Sequence, residues 1–229
     1  MTVHLNDLSE DFSLSSAPLG YVSVPKRPGL YRNLFKRAFD LLFILATSVV
    51  VLPVILLLAA FVARDGYKPF YSSPRVGRHG REFRMLKLRT MVPNADAQLE
   101  RYLAENPEAR REWESTQKLK NDPRITRFGR FLRKTSLDEL PQLWNVLIGD
   151  MSIVGPRPMM PAQRARYHGL AYYALRPGLT GPWQVSVRNE SSFAQRAEFD
   201  RQYDQRVTFL GDTGLILRTL FVVLRGTGY

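Results

Sequence analysis

The stretch LLFILATSVVVLPVILLLAAFVA, residues 41–63, holds 23 consecutive residues without a charge. A helix needs about 20 apolar residues to cross the hydrocarbon core of a bilayer, so this run predicts a membrane segment. Pro53 lies within the run, where its missing N–H removes a helical hydrogen bond and favours a bend. The fold is therefore expected to be organised around one membrane-embedded helix.

Both flanks of this run are basic, and this bears on how the run enters the bilayer. Positive charge beside a membrane segment stays cytoplasmic, so an equal bias at both ends favours a hairpin that enters and returns. The alternative is a spanning helix with a tolerated proline kink. The flanking cations are Lys26, Arg27, Arg32, Lys36 and Arg37 before the run and Arg64, Lys68, Arg75, Arg78, Arg81, Arg84, Lys87 and Arg89 after it.

The organisation of the chain follows from changes in composition around this run. Residues 1–25 are polar and rich in Ser and Asp, which predicts a disordered tail. Residues 26–66 are expected to hold a basic amphipathic helix suited to an anionic membrane surface, followed by the re-entrant membrane helix. Residues 67–229 are expected to form a cytosolic domain that lies on the membrane.

Composition narrows the chemistry that this domain can perform. The chain has 33 Lys and Arg against 21 Asp and Glu, so its partners should be anionic: nucleic acid, anionic lipid or phosphorylated substrates. It has no cysteine, which removes disulfides, thiolate metal sites and a thiol nucleophile. With three histidines in 229 residues, any required metal should be a hard cation held by carboxylates, with Mg²⁺ the best match.

The pattern of the remaining segments predicts an α+β, mostly helical fold. Residues 70–90 alternate like a β-hairpin turning at His79-Gly80, which would place Lys87 and Arg89 on one face. Further helices are expected over residues 94–105, 107–119, 124–134, 193–210 and 212–225.

Three segments in the second half of the chain have a more specific interpretation. Residues 124–134 mix aromatic and basic side chains, which suits an amphipathic helix at headgroup level or an ordinary basic surface helix. The loop RPGLTGPWQV, residues 176–185, predicts a tight turn or a base-binding pocket around Trp183 and Gln184. The segment over residues 212–225 contains Arg218 and is too short to be a second span.

The most chemically informative stretch is TSLDELPQLWNVLIGDMSIVGPRP, residues 135–158. It places the adjacent acids Asp138 and Glu139 upstream of Arg157 and downstream of a basic run, an arrangement suited to pyrophosphate chemistry. The structural alternative is a helix capping box formed by Ser136 and Glu139, although Pro141 would then lie in the first turn. The basic run comprises Arg124, Arg127, Arg130, Arg133 and Lys134.

Several of these motifs, in this order, resemble the bacterial sugar transferases, the monotopic polyprenyl-phosphate hexose-1-phosphate transferases that initiate exopolysaccharide synthesis. The resemblance runs from about Lys36 to the C-terminus and suggests the short form of the family, without the multi-span region that some relatives carry. The motifs are KRAFDLLF, RVGRHGREFRMLKLRTM, DPRITRFGRFLRKTSLDELPQLWNVLIGDMSIVGPRP and RPGLTGPWQV.

The resemblance implies transfer of a hexose-1-phosphate from a UDP-sugar to undecaprenyl phosphate, with release of UMP. It implies that Asp138 attacks the sugar-proximal phosphate to form an acyl-phosphate, that Glu139 assists, and that Mg²⁺ is held partly by both acids. The enzyme would lie in the bacterial inner membrane with its active site on the cytoplasmic face, and residues 67–229 would form the catalytic domain.

The resemblance also assigns the cations. Arg133 and Arg157 are expected to bind phosphate, and Lys87 and Arg89 of the KLRTM block are expected to contact substrate phosphate as well. One departure is Leu52, where many relatives have Ser before the membrane proline. Since the nearest hydroxyl here belongs to Ser48, the way in which this chain stabilises the bend at Pro53 stays open.

Other functions stay in view at this point. A nucleic-acid-binding protein would explain the net charge of +12, but no reading motif or aromatic platform accompanies it, so no nucleic acid is expected. A non-catalytic scaffold for polysaccharide assembly would need no paired acids. Glucose and galactose are the leading sugars, an N-acetylated UDP-sugar is the alternative, and a homo-oligomer is compatible with the sequence.

Overall fold

The architecture is α+β and mostly helical, as the sequence predicts. The computed structural model describes residues 29–116, 119–186 and 193–224. The tail over residues 1–25 lies outside these ranges, as do parts of the segments predicted over 107–119 and 212–225. The segment predicted as one helix over 193–210 lies inside them and is interrupted at residues 206–208, which are not helical. The helices are α1 Lys36–Val62, α2 Ala95–Glu105, α3 Pro107–Thr116, α4 Arg127–Lys134, α5 Gln142–Ile148, α6 Ala171–Ala174, α7 Pro182–Ser186, α8 Phe193–Gln205 and α9 Phe209–Leu224.

The strands form two small sheets rather than one. The first is the predicted hairpin, in which β1 Phe70–Val76 runs antiparallel to β2 Glu82–Leu88. The turn contains His79 and Gly80 at positive φ, as required for a tight reversal. The second sheet, which the sequence did not predict, pairs β3 Ser152–Val154 in parallel with β4 Gly178–Thr180.

Helix α1 is the apolar segment predicted from the sequence. It continues as one α-helix through Pro53. A π-helical turn at Tyr31–Phe35 precedes it, and a 3₁₀ turn at Ala63–Asp65 follows it. Among the residues that the structure describes, Tyr31–Asp65 is the one helical stretch long and apolar enough to cross a membrane. Most of the large apolar side chains between Leu41 and Leu57 are exposed, which is unfavourable in water and favourable in lipid.

Both ends of α1 pack against the same domain. Phe43 and Ile44 near its start contact the core cluster that contains Met85 and Ile153. Leu58, Ala59 and Val62 near its end join a second cluster with Leu88 and Leu132. Most of the apolar surface of α1 between these two ends does not pack against the rest of the described protein, so it is available to contact lipid.

Three of the basic residues before the apolar run, Arg32, Lys36 and Arg37, turn toward the protein rather than away from it. Lys36 is buried and donates to the carboxylate of Asp212, while Arg32 bonds to Asp204. Arg37 donates to the last carbonyls of α5. The predicted helix therefore forms, and these three side chains also make bonds inside the protein, which the sequence did not predict.

Two glycines allow the β3–β4 pair to form. A Cβ on Gly155 would lie 2.3 Å from the carbonyl oxygen of Arg176, and one on Gly178 would lie 2.1 Å from the nitrogen of Gly155. The backbones therefore approach too closely for any other residue. Gly155 donates its N–H to Thr180, which locks the GPRP segment against the segment that leads to Trp183.

Candidate active site

The acid pair lies in a short turn rather than in the first turn of a capped helix. Ser136 has a left-handed backbone with φ of 56°, and its side chain makes no capping hydrogen bond. Leu137–Glu139 forms a single 3₁₀ turn, and α5 begins after Pro141, whose missing N–H costs nothing at that position. The capping-box alternative is therefore wrong, and the turn leaves both acidic side chains available for other contacts.

Lys87 bridges the two acids. Its Nζ lies 2.6 Å from Oε1 of Glu139 and 3.6 Å from Oδ2 of Asp138. The lysine comes from β2, 52 positions earlier in the chain than Glu139, so this contact depends on the packing of the strand against the turn. One ammonium group shared by two carboxylates keeps their charges compatible at short range.

A buried asparagine docks the helix that follows the acids onto the strand that carries the lysine. Asn145 of α5 accepts a hydrogen bond from the backbone N–H of Leu86 and donates one to the carbonyl of Arg84, both at 2.9 Å. The Asn145 amide therefore pairs with the two backbone groups of β2 that flank Met85, one N–H and one carbonyl. Asn145 is a positioning residue for Lys87, and no motif in the sequence identified it.

Asn145→Ala should therefore destabilise the protein more than an ordinary surface change does. Two buried backbone groups lose their partner, so we expect the free energy of unfolding to fall by about 2 kcal/mol, roughly 4–8 °C in melting temperature. Thermal unfolding in neutral detergent measures this shift. Asn106→Ala removes a hydrogen bond from the side-chain amide to the backbone carbonyl of Tyr102, at the end of the same surface helix, and should move the melting temperature little. Equal shifts in the two variants would refute the docking role.

Asp138 is the more buried of the two acids. Its burial raises the pKa of the carboxyl above the ordinary value, and the negative charge of Glu139 adds to this effect. The charges of Lys87 and Arg133 act in the opposite direction and lower the pKa in part. Arg133 is held beside the pair by a hydrogen bond from its Nε to the hydroxyl of Thr90, 2.9 Å long. A buried carboxyl with two cations beside it is an arrangement found at functional sites.

Two other predicted cations lie elsewhere. Arg89 forms a bidentate pair with Asp65 and donates to the carbonyl of Val62, so it closes the end of α1. The structure does not bring it to the acid pair. Arg124 is buried and forms an ion pair with Asp122, so its charge is directed at that acid rather than at Asp138 and Glu139. The family resemblance assigned Arg89 to substrate phosphate, and the sequence placed Arg124 in the basic run upstream of the acids. In the structure each of them pairs with a nearby acid instead.

Arg157 is exposed and lies beside Trp183, with its guanidinium carbon 5.6 Å from the centre of the indole ring. The β3–β4 pair produces this contact, since Arg157 follows β3 and Trp183 follows β4. Gln184, the other residue predicted to contact a nucleotide, is 5% exposed and belongs to the interior. The segment predicted as a loop thus contains β4 and the start of α7, and it supplies one partly exposed aromatic ring next to one cation.

Arg75 of β1 lies on the same face of the hairpin as Lys87, because it is paired with Phe83, and it was not identified as a site residue from the sequence. Burial lowers the pKa of its guanidinium, the positive charge of Arg157 lowers it further, and Glu139 raises it. The alternation of β1 in the hairpin was the signal that could have placed it on this side.

The carboxylates at this site could bind Mg²⁺ if the substrate supplied the remaining ligands. Within the described ranges no group of three or more His, Asp or Glu side chains converges on one point. Mg²⁺ commonly takes one or two protein carboxylates and completes its shell with water and substrate phosphates. Asp138 and Glu139 supply two such carboxylates, so the site suits a metal that arrives with a phosphorylated substrate rather than a permanently caged one.

Comparison with known proteins gives a consistent match. The family model described as "Bacterial sugar transferase" matches residues 31–226. The chain is 49% identical over 195 residues to the UDP-galactose-lipid carrier transferase of Erwinia amylovora, covering 84% of this chain and 41% of that protein. It is 36% identical to the UDP-glucose:undecaprenyl-phosphate glucose-1-phosphate transferase of Escherichia coli, over 82% of this chain and 40% of the relative.

A further relative matches along nearly its whole length. The exopolysaccharide production protein ExoY of Rhizobium meliloti is 44% identical over 214 residues, which cover 90% of this chain and 93% of ExoY. The chain thus spans about two fifths of the length of the first two relatives and nearly all of the third.

Proposed function

Because this chain belongs to the bacterial sugar transferase family, we propose that it transfers a hexose-1-phosphate from a UDP-sugar to undecaprenyl phosphate and releases UMP. The names of its relatives support galactose or glucose as the sugar and undecaprenyl phosphate as the acceptor. The name of ExoY supports a role in exopolysaccharide production. The observation that carries the proposal is the acid pair bridged by Lys87 and flanked by Arg133.

Asp138 is the proposed nucleophile. Its carboxylate oxygen attacks the sugar-proximal phosphorus, the bond from that phosphorus to the bridging oxygen breaks, and UMP leaves with the bond's electrons. A phosphate oxygen of the lipid then attacks the same phosphorus and releases the carboxylate. The burial of Asp138 supports this role, since a partly desolvated carboxylate is the stronger nucleophile. Two steps let the nucleotide depart before the lipid arrives.

The cations supply the stabilisation that this reaction needs. One phosphoanhydride is broken and another formed, so positioning and charge stabilisation matter more than driving force. We propose that Lys87 and Arg133 act at the phosphorus under attack and that Arg157 and Arg75 hold the departing nucleotide phosphate. Trp183 beside Arg157 would contact the uracil. Arg89 is tied to Asp65, and no phosphate contact is assigned to it.

Mg²⁺ would be held by Asp138 and Glu139 together with pyrophosphate oxygens. When bound, it neutralises charge on the pyrophosphate and on the leaving group. Lys87 would contact a substrate phosphate oxygen. Glu139 orients Lys87 through their 2.6 Å contact and would help to hold the metal, so it would assist the nucleophile without taking its place.

UMP release is the direct test of this function. Purified protein in detergent, given Mg²⁺, undecaprenyl phosphate and one UDP-sugar at a time, should release UMP with UDP-galactose or UDP-glucose. A response confined to an N-acetylated UDP-sugar would change the sugar but keep the reaction. Absence of UMP with every donor would leave a non-catalytic scaffold as the better description.

Lys87→Gln should change the pH profile as well as the rate. Only ionised Asp138 can attack, and burial raises its pKa above 3.8, so activity should fall as pH drops through this raised value. Lys87 provides the largest lowering effect on that pKa, so its removal raises the pKa further and should shift the acid limb of kcat/KM to higher pH. Lys120→Gln, an exposed matched change, should leave the limb in place; an unmoved limb in Lys87→Gln would refute the coupling.

We also propose that α1 is re-entrant in the inner membrane, with the active site on the cytoplasmic face. The basic flanks and the packing of both helix ends against one domain support this topology. The exposed apolar side chains of α5 and α9, including Trp144, Ile148 and Leu217, support a domain that lies on the membrane. Phe131 does the same for α4.

Cysteine labelling in intact cells tests this topology, because the native chain has no cysteine. Asn33→Cys and Arg64→Cys, both at exposed positions, should resist a membrane-impermeant reagent until the inner membrane is opened. Labelling of either residue from the periplasm would show that α1 crosses the bilayer. Pro53→Ala should favour crossing, since the restored hydrogen bond straightens the helix.

A further inference from the structure

We propose that a second basic cavity, at the start of α1 and apart from the acid pair, binds the phosphate group of an anionic phospholipid. The cavity has a volume of about 80 Å³. Five cationic side chains and a single carboxylate line it: Arg32, Lys36, Arg37, Arg78, Arg176 and Asp40. A pocket with this charge balance favours a compact anion.

Several of these charges are already committed. Asp40 accepts hydrogen bonds from the hydroxyl of Ser152 and the N–H of Ile153, and so its charge is shared with β3. Lys36 and Arg32 are paired with Asp212 and Asp204. With these two pairs set aside, Arg37, Arg78 and Arg176 remain against the single carboxylate of Asp40, so the cavity keeps an excess of positive charge.

The guanidinium groups on the other wall repel one another. Burial lowers the pKa of Arg176, and the charges of Arg78 and Arg37 lower it further. Groups of like charge that are held together at a partly buried site favour an anion between them, because an anion converts their repulsion into attraction. A phosphate group is the natural match, since a guanidinium can donate to it with two parallel N–H groups.

Helix capping explains only part of this arrangement. Arg37 donates to the carbonyls of Val146 and Leu147, and Arg176 donates through Nε to the carbonyl of Gly149. These bonds stabilise the C-terminus of α5. They use three of the ten N–H donors that two guanidinium groups carry.

The surroundings point to a membrane lipid as the source of the phosphate. Leu34, Leu41, Leu147 and Ile148, on the elements that frame the cavity, are all exposed apolar side chains. Helix α1 continues from the cavity into the uncharged run. Basic pockets at the boundary between apolar segments and the cytoplasm are suited to lipid headgroups. This inference rests on the membrane association proposed above.

The cavity is distinct from the proposed catalytic centre. The acid pair precedes α5, whereas Arg37 and Arg176 contact its C-terminal end, and seven helical residues separate the two sites by about 10 Å. A lipid at the cavity would hold the domain at a set depth while the catalytic centre handles its substrates.

Calorimetry with the full chain in neutral detergent tests the proposal without any need for turnover. The titrants are dihexanoyl phosphatidylglycerol, dihexanoyl phosphatidylcholine and inorganic phosphate. Arg78→Gln is the main variant because Arg78 is exposed and lines the cavity. Arg176→Gln is the second. Arg64→Gln, the same change at the other end of the membrane helix, is the control.

Phosphatidylglycerol should bind the native chain and Arg64→Gln alike, and Arg78→Gln and Arg176→Gln should each weaken it by about tenfold. The zwitterionic lipid should bind at least tenfold more weakly. Equal binding of phosphatidylglycerol to the native chain and both cavity variants would overturn the site. Tight, variant-sensitive binding of inorganic phosphate without any of phosphatidylglycerol would overturn the lipid assignment. A failed transferase assay would contradict the proposed reaction but would not bear on lipid binding at the cavity.

Discussion

Asp138→Asn should abolish sugar-phosphate transfer while the protein keeps its fold. The amide has nearly the shape of the carboxyl but lacks the anionic oxygen that attacks phosphorus, so we expect kcat to fall by about 10³-fold or more. UMP release with saturating UDP-sugar and undecaprenyl phosphate measures the loss. Because burial raises the pKa of the Asp138 carboxyl, removing its charge should also keep or raise thermal stability at neutral pH.

Glu139→Gln is the matched comparison, because it removes the charge of the neighbouring acid and leaves that of Asp138 in place. It removes the 2.6 Å contact partner of Lys87 and should impair turnover, but a slow reaction should persist because the nucleophile remains. Should Asp138→Asn and Glu139→Gln lose activity equally, and Asp138→Asn retain turnover at higher Mg²⁺, Asp138 would be a metal ligand rather than the nucleophile.

Arg133→Ala and Arg157→Ala should give the next largest losses. Each removes a cation proposed to stabilise charge that develops in the transition state, and losses of about 10²-fold are typical of such contacts. The measurement is kcat/KM for the UDP-sugar. Arg157→Lys should recover little if the contact is bidentate, since an ammonium group cannot reproduce the planar fork.

Arg110→Ala is the control for these arginines, because Arg110 is exposed on α3 and donates to a carbonyl of the neighbouring helix. It should leave kcat/KM near the native value. If it lowers the rate as far as Arg133→Ala does, the losses reflect general destabilisation, and neither Arg133 nor Arg157 has a specific role.

Local sequence pattern predicted those parts of the fold that local physics determines. The apolar run, the hairpin turning at His79 and Gly80, and the charged helices α2 and α3 are confirmed because periodicity and turn chemistry act over a few residues. The β3–β4 pair escaped prediction because three-residue strands carry too little pattern. Gly155 and Gly178 permit the close approach of the two backbones, but the sequence does not identify which segments pair.

Long-range partners could not be predicted from spacing. Lys36 meets Asp212 at a separation of 176 residues, and Arg89 meets Asp65 rather than a substrate-facing position. A basic residue near a membrane run is compatible with a lipid, a substrate or an internal acid, and only packing decides among them. Asn145 shows the same limit, since its role exists only once α5 lies against β2.

The acid pair was the part of the site that sequence reasoning located most directly. Adjacent Asp138 and Glu139 form one turn, and Arg133 lies one helical turn before it, so their grouping is local. Lys87 required the family resemblance to be selected from many lysines and arginines, and the structure then brought it to both carboxylates. Arg75 was visible only after β1 was paired with β2.

Trapping the phosphorylated enzyme tests the proposed mechanism most sharply. Native protein is mixed with Mg²⁺ and a UDP-sugar labelled in the sugar-proximal phosphate, without lipid, and is quenched rapidly. We expect label on the protein, located at Asp138, together with an equivalent burst of UMP, and undecaprenyl phosphate should remove the label. UMP that appears only with lipid present, and no labelled protein at any quench time, would instead show direct attack by the lipid phosphate.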